Sequence, residues 1–258
     1  MLRKRLIFTL IYSDGYFMQI RNFRLQKVGD INWLMNNYNF REIATSIDEL
    51  IILNASRNQK IINSFANTIS EIVDEVFIPI AAGGGIRTLD DARKLFANGA
   101  DKIVLNSALF LDKLFISQLV NIYGSQSIVA SIDYKKYENI NRVFINDGSK
   151  MIDFDLGRTM QYLDELKVGE VYLNSMEKDG TGFGYDLETI NSLKDIIKLP
   201  LIIAGGAGNE VHFLEGLRNI EVNAVATANL FNFIGNGLPN ARNKLLIDGE
   251  NIANWNEI

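Results

Sequence analysis

The chain has 258 residues, 47% hydrophobic and 22% charged, with a formal net charge of −5 at pH 7. That length and composition suit one large domain, 1–258, and the negative charge removes the attraction that nucleic acid or an anionic membrane needs. No cysteine and a single histidine exclude a disulfide framework and a thiolate or multi-histidine metal site, so neither metal nor cofactor is expected.

Short apolar, β-branched runs alternate with helical patterns along the chain. Leu6–Ile11 is the first predicted strand. It is too short and too soon polar for a signal peptide, and no apolar run reaches the roughly 20 residues of a membrane span, so the cytoplasm is the expected location. A long loop then carries Tyr16, Phe17, Arg21, Phe23, Arg24 and Lys27, either as a lid over an anionic substrate or as a solvated excursion. Asp30 reads as a helix cap before Trp33 and Leu34. Leu50–Leu53 is the second strand, followed by Ile61, Ile62, Phe65, Ile69, Ile72 and Val73 at helical spacing. The third strand, Ile78–Ala82, opens into Gly83-Gly84-Gly85, with a capping box from Thr88 to Asp91 behind it. Ile103–Leu105 and Ile128–Ile132 are strands four and five, and Arg142–Lys150 is an inserted hairpin turning at Asn146-Asp147-Gly148. Val171–Leu173 is strand six, with a helix from about Asp186; Leu199–Ala204 opens into Gly205-Gly206-Ala207-Gly208 as strand seven, and Ala224–Ala226 is strand eight.

Eight strands at a mean spacing of about 32 residues predict an α/β fold, a (β/α)8 TIM barrel, with an open doubly wound sheet as the alternative. An internal repeat favours the barrel. Glu49 and Glu170, Pro79 and Pro200, Gly84 and Gly205, and Phe110 and Phe231 are each 121 residues apart. Two four-stranded halves related by a two-fold axis close into such a barrel.

Chemistry in these barrels sits at the C-terminal ends of the strands. There Gly84, Gly85, Asn106 and Ser107 can offer N–H groups, an amide and a hydroxyl to one phosphate. By the repeat, Gly205, Gly206 and Asn229 form a second cradle opposite, with Asp179 and Gly180 beside it. One glycine run alone reads equally well as a tight turn; two at equivalent places point to an elongated ligand with a phosphate at each end. The stretch after Gly83 lacks the Lys-Ser/Thr ending of a nucleotide P-loop, and His212 reads as a packing or surface residue.

Ala82-Gly83-Gly84-Gly85-Ile86, Gly99-Ala100-Asp101-Lys102, Gly124-Ser125-Gln126, Asp179-Gly180-Thr181, Gly184-Tyr185-Asp186 and Gly205-Gly206-Ala207-Gly208 together resemble the cyclase (HisF) subunit of imidazole glycerol phosphate synthase. The resemblance runs from Met1 to Phe231. It implies a two-phosphate barrel in a heterodimer with a glutaminase (HisH-like) subunit, whose ammonia enters at the N-terminal face and crosses to the substrate. It also implies that Asp133 is catalytic, that Arg5, Glu49, Lys102 and Glu170 form the charged ring at the ammonia entrance, and that Asp101 faces the glutaminase. Three positions depart from the family: Ile11 stands where the repeat and the family place a second catalytic aspartate, Gln19 where the family has a loop lysine, and Asn54 where it has a strand-two aspartate. The expectation is therefore an amidotransferase-linked synthase subunit, a paralogue acting on a phosphorylated or sugar-type acceptor, as in acetamidino-sugar formation for surface polysaccharides or flagellar glycans. A lyase of histidine biosynthesis and a non-catalytic conduit that activates the glutaminase are the alternatives.

Overall fold

The apolar runs form strands because they are buried on both faces, which only a sheet wrapped by helices provides. In the computed structural model, which describes residues 3–21, 24–38, 43, 45–57, 60–229 and 235–255, eight of them are parallel: β1 (Arg5–Ser13), β4 (Glu49–Asn54), β5 (Ile80–Gly83), β6 (Lys102–Leu105), β7 (Ile128–Tyr137), β10 (Glu170–Ser175), β11 (Leu201–Ala204) and β12 (Ala224–Thr227). They pair in that order, and β12 returns to β1 with Arg5 opposite Ala224, so the barrel is closed. Met1, Leu2, Phe23 and Phe231, which enter the sequence reading, lie outside the described residues.

Two hairpins interrupt the alternation. The stretch after β1, expected to be an irregular loop, is an antiparallel pair, β2 (Tyr16–Arg21) and β3 (Arg24–Gly29), laid back on β1. Asp14 and Gly15 both take positive φ (50° and 88°), the two-residue turn whose twist matches hairpin strands. The second hairpin, β8 (Ile140–Ile145) and β9 (Lys150–Asp155), is longer than expected and continues β7 through a like turn at Glu138 and Asn139. Each hairpin follows the first strand of its half, so the repeat extends to the insertions.

The helices α1 (Ile31–Asn37), α2 (Ile62–Val73), α3 (Leu89–Ala97), α4 (Ser107–Leu111), α5 (Lys113–Tyr123), α6 (Leu156–Leu166), α7 (Leu187–Ser192), α8 (Glu210–Arg218) and α9 (Gly237–Ile247) surround the barrel. Asp30 caps α1, and Thr88 with Asp91 makes the expected capping box of α3. None of the described helices is long and apolar enough to cross a membrane.

Alternate residues of each strand face opposite ways. Leu6, Phe8 and Leu10 pack outward against helices, whereas Ile7, Ile51, Ala81, Val104, Val129, Tyr172 and Ile202 fill the axis. The repeat is visible in the hydrogen bonds too. Asp101 accepts from the N–H of Ile80, and Asn223, 122 residues later, accepts from that of Leu201, each at 2.8 Å. Asp48 does the same for Leu6 at 2.8 Å, and is itself gripped by the buried Arg242 of α9 at 2.9 Å. That guanidinium also donates to the carbonyls of Ser46 and Ala253, tying the C-terminal segment to the barrel floor. Arg242→Met strands the Asp48 carboxylate, and urea denaturation should show a loss of about 3–5 kcal/mol.

Candidate functional site

The C-terminal ends of the strands surround one cavity of about 640 Å³. Gly84, Gly85, Asn106, Ser107, Asp133, Asp179, Gly180, Gly205, Gly206 and Asn229 all line it. Gly84 and Gly205 take φ of 100° and 85°, and a Cβ on them would fall 2.3 Å from the Asn54 carbonyl oxygen and 2.6 Å from that of Ser175. Residues 54 and 175 are again 121 apart, so both glycines are required by the same close approach of a neighbouring strand. Two of the expected donors have other partners. The Asn106 amide donates to the Ser131 carbonyl at 2.9 Å, and Ser107 is bonded to Asn146 on the β8–β9 turn.

Asp133 stands near where β7 leaves the barrel to pair with β8, beside Asn174 on β10, whose amide donates to it at 2.9 Å. Asn174 and the Gly180 N–H also favour the ionised form of Asp179. Burial pushes the Asp133 carboxyl up to about 6, with Asp147 adding to the rise against the Asn174 bond and Lys60. Asp179 goes up to about 7, through burial first and repulsion from Asp133 second. Two neighbouring buried carboxyls thus titrate close to neutrality, the condition under which such groups exchange protons readily.

The opposite wall differs. Ile11 and Leu53 are cross-strand partners, as Asp133 and Asn174 are, and the repeat relates the two pairs at 122 and 121 residues. One half of the cavity floor is therefore carboxylate and amide, the other hydrocarbon. Gln19 and Asn54 line the same apolar side; Asn54 turns its side-chain oxygen to the N–H of Ser56 at 3.1 Å. Tyr172, which sequence reading passed over as one apolar position among others, crosses the axis beneath the cavity and meets the Thr9 hydroxyl at 3.3 Å. Ala204, Ala224 and Ala226 belong to the same cluster of lumen residues as its ring.

At the far end of the axis Arg5, Glu49, Lys102 and Glu170 do converge. Arg5 bonds Glu49 at 2.6 Å and Glu170 at 2.5 Å; Lys102 bonds Glu49 at 3.0 Å and Glu170 at 2.6 Å. The four links form a closed ring of alternating charge. Burial opposes the charge on Glu170, but Arg5 and Lys102 outweigh it and hold the carboxyl below its usual range. Burial also leads at Glu49 and raises its carboxyl, against the same two cations. Asp101 is exposed on this face, its Oδ2 taken by Ile80.

The remaining candidates are structural. His212 accepts from the Gly208 N–H through Nδ1 at 3.1 Å, fixing the loop after β11. Arg21, Arg24 and Lys27 lie on the hairpin, with Lys27 over the Tyr16 ring, while Ile20 and Leu25 of the same hairpin wall the cavity. The raised carboxyls give a stability test. Asp179 titrates near 3.8 when unfolded and about 7 when folded, so the native state holds the extra proton between those values and stability falls as pH rises through them. Asp179→Asn should therefore melt a few degrees above wild type at pH 8 and level with it near pH 4, by calorimetry.

Comparison with known proteins agrees with this architecture. A family model described as "Histidine biosynthesis protein" matches residues 24–235. The chain is 44% identical over 256 residues to the "Putative imidazole glycerol phosphate synthase subunit hisF2" of Parasynechococcus marenigrum, covering 99% of this chain and 95% of that protein. It is 33% identical over 246 residues to the "Imidazole glycerol phosphate synthase subunit HisF" of Pelodictyon phaeoclathratiforme, with 95% and 96% covered. The HisF of a Hydrogenobaculum species is 35% identical over 235 residues, with 90% and 92% covered. Similar to such proteins over nearly its whole length, the chain belongs to the HisF-like branch of the histidine biosynthesis protein family.

Proposed function

We propose that this chain is the synthase subunit of a glutamine-dependent pair. A glutaminase docks on the N-terminal face, and ammonia crosses the barrel to an acceptor held between the two glycine cradles. The observation that carries this reading is the ring of Arg5, Glu49, Lys102 and Glu170. Glu49 and Glu170 are 2% and 7% exposed. Burying four ionised groups is costly unless each is paired, and the cavity chemistry at the other end makes no use of them. Two further features support a partner on this face. Phe77 and Ile220, in the connections leading into β5 and β12, are 82% and 79% exposed, an apolar surface that a docked protein would cover. Asn223 performs with an amide the strand-stitching that Asp101 performs with a carboxylate, so the charge at position 101 is surplus to the fold and available to a partner.

In the cavity Asp133 accepts the proton that attacking ammonia loses, and Asp179, still partly protonated at pH 7, returns one to the acceptor oxygen. The acceptor is phosphorylated or sugar-like; the resemblance to relatives lacking the strand-one carboxylate, a position held here by Ile11, supports acetamidino-sugar formation. The Asp133–Asp179 pair also favours a second reading, the imidazole-forming lyase itself, since it offers both an acid and a base. A conduit that only activates its glutaminase is the third.

Supplying the linear histidine precursor and ammonium to the purified chain separates them. A misplaced or missing general acid–base group is worth about 10²–10⁴-fold, so wild type should turn over at least about 100-fold more slowly than Ile11→Asp. Wild-type turnover matching that of the variant would establish the lyase reading, and glutaminase activation with no acceptor turnover the conduit. With the glutaminase and the true acceptor, Lys102→Met should alter glutamine-driven product formation while leaving the ammonium-driven rate unchanged. Equal effects on both rates would remove the ring from ammonia entry.

A further inference from the structure

The cations lining the cavity are concentrated at one cradle. Arg57, Lys60 and Arg87 all line it, and all come from the two loops, after β4 and β5, that build the Gly84–Gly85 end. Lys60 is the one placed by packing. A Cβ on Gly85 would fall 2.6 Å from the Lys60 Cβ and 3.0 Å from its Cδ, so the lysine stem lies in the space a side chain at 85 would occupy. Its ammonium is bonded to Asp147 Oδ1 at 2.7 Å, 87 residues away at the tip of the β8–β9 hairpin. The adjacent Asn146 engages the other half of the cradle. Its N–H donates to Ser107 Oγ at 3.0 Å, and the Ser107 hydroxyl donates to Asn146 Oδ1 at 3.1 Å. Asn146, Asp147 and Gly148 all take left-handed φ (54°, 54° and 75°). The two non-glycine residues hold a conformation that carries a small steric cost and needs tertiary contacts to persist.

The geometry points to Lys60 as an anion ligand of the first cradle and to Asp147 as its resident counter-ion, a carboxylate that a phosphate group of the substrate displaces. This rests on the reading of Gly84, Gly85 and Ser107 as a phosphate cradle. An ammonium, a hydroxyl and the N–H groups of a glycine turn are what a phosphate takes, and the hairpin tip sets an acidic and an amide side chain on the first two. The exchange is favourable in direction. The Asp147 side chain is 37% exposed, so its bond to Lys60 is of the weak, solvent-screened kind and its carboxylate returns to water easily. A phosphate dianion brings more charge and more acceptor oxygens to the same donors. Binding would then release the tip from Lys60 and Ser107 together, coupling occupancy of the cradle to the position of the hairpin over the cavity.

Calorimetric titration of the full chain with inorganic phosphate tests this, with folding of each variant checked by its melting curve. Asp147→Asn removes the competing charge and should tighten phosphate binding about threefold to tenfold. Lys60→Met should weaken it about tenfold. In the Lys60→Met background Asp147→Asn should add nothing, because the two act through one contact. If wild type binds phosphate and Asp147→Asn binds it no tighter, the pair is a strut and the inference is overturned while the cradle stands. Equal tightening with and without Lys60 also overturns it, since the effect is then general charge repulsion. If neither wild type nor Asp147→Asn binds phosphate, the cradle falls and the inference with it.

Discussion

Pairing β12 to β1 closes the eight parallel strands into a ring, and that closure dictates where chemistry can be. Once the ladder is a ring, the inward side chains of eight strands share one narrow axis. Ile7, Ile51, Val104 and Val129 fill it, with alanines at 81, 204, 224 and 226 and a single tyrosine at 172. A packed axis leaves its two ends for charged groups. The strands supply charges at their first residues and polar groups at their last, and the two ends come to hold different electrostatic systems.

The difference is one of neutralisation. At the N-terminal end two cations face two carboxylates, and every charge has opposite charges on both sides. Such a ring tolerates burial and gives up little reactivity. At the C-terminal end Asp133 and Asp179 repel each other across the cavity, and neither has a cation in hydrogen-bonding contact among the described residues. Burial then raises both carboxyls toward neutrality. One end stores charge in balanced form, and the other keeps it unbalanced and therefore usable.

The barrel strands and the repeat were legible because strands buried on both faces appear as unbroken apolar runs, and because Gly84 and Gly205 answer the same steric demand. The ring was legible only through the family resemblance: Arg5, Glu49, Lys102 and Glu170 each stand immediately before such a run, a placement that by itself reads as a solvated rim. The first hairpin was not. Asp14-Gly15 is a two-residue turn signal, yet Tyr16–Gly29 mixes charged, apolar and amide residues without clean alternation, since it is half solvated and half turned toward the cavity. Symmetry with the second hairpin was the available clue. Tyr172 looked like any core position, because only closure of the barrel shows that its side chain reaches across the axis. Lys60 and Asp147 meet across 87 residues through a hairpin and a loop, and no local pattern encodes that contact.

The matched pairs Ile11–Leu53 and Asp133–Asn174 have a consequence for how such a site changes over time. A duplicated half supplies each strand-end position twice, once on either side of the cavity. These last inward residues carry little of the packing that holds the barrel, which is borne by the layers beneath them. One copy can therefore carry hydrocarbon without threatening the fold, while its twin carries a carboxylate. Redundancy of this kind turns a symmetric ancestor into a testing ground: stability is guarded by both halves, and novelty needs the consent of only one.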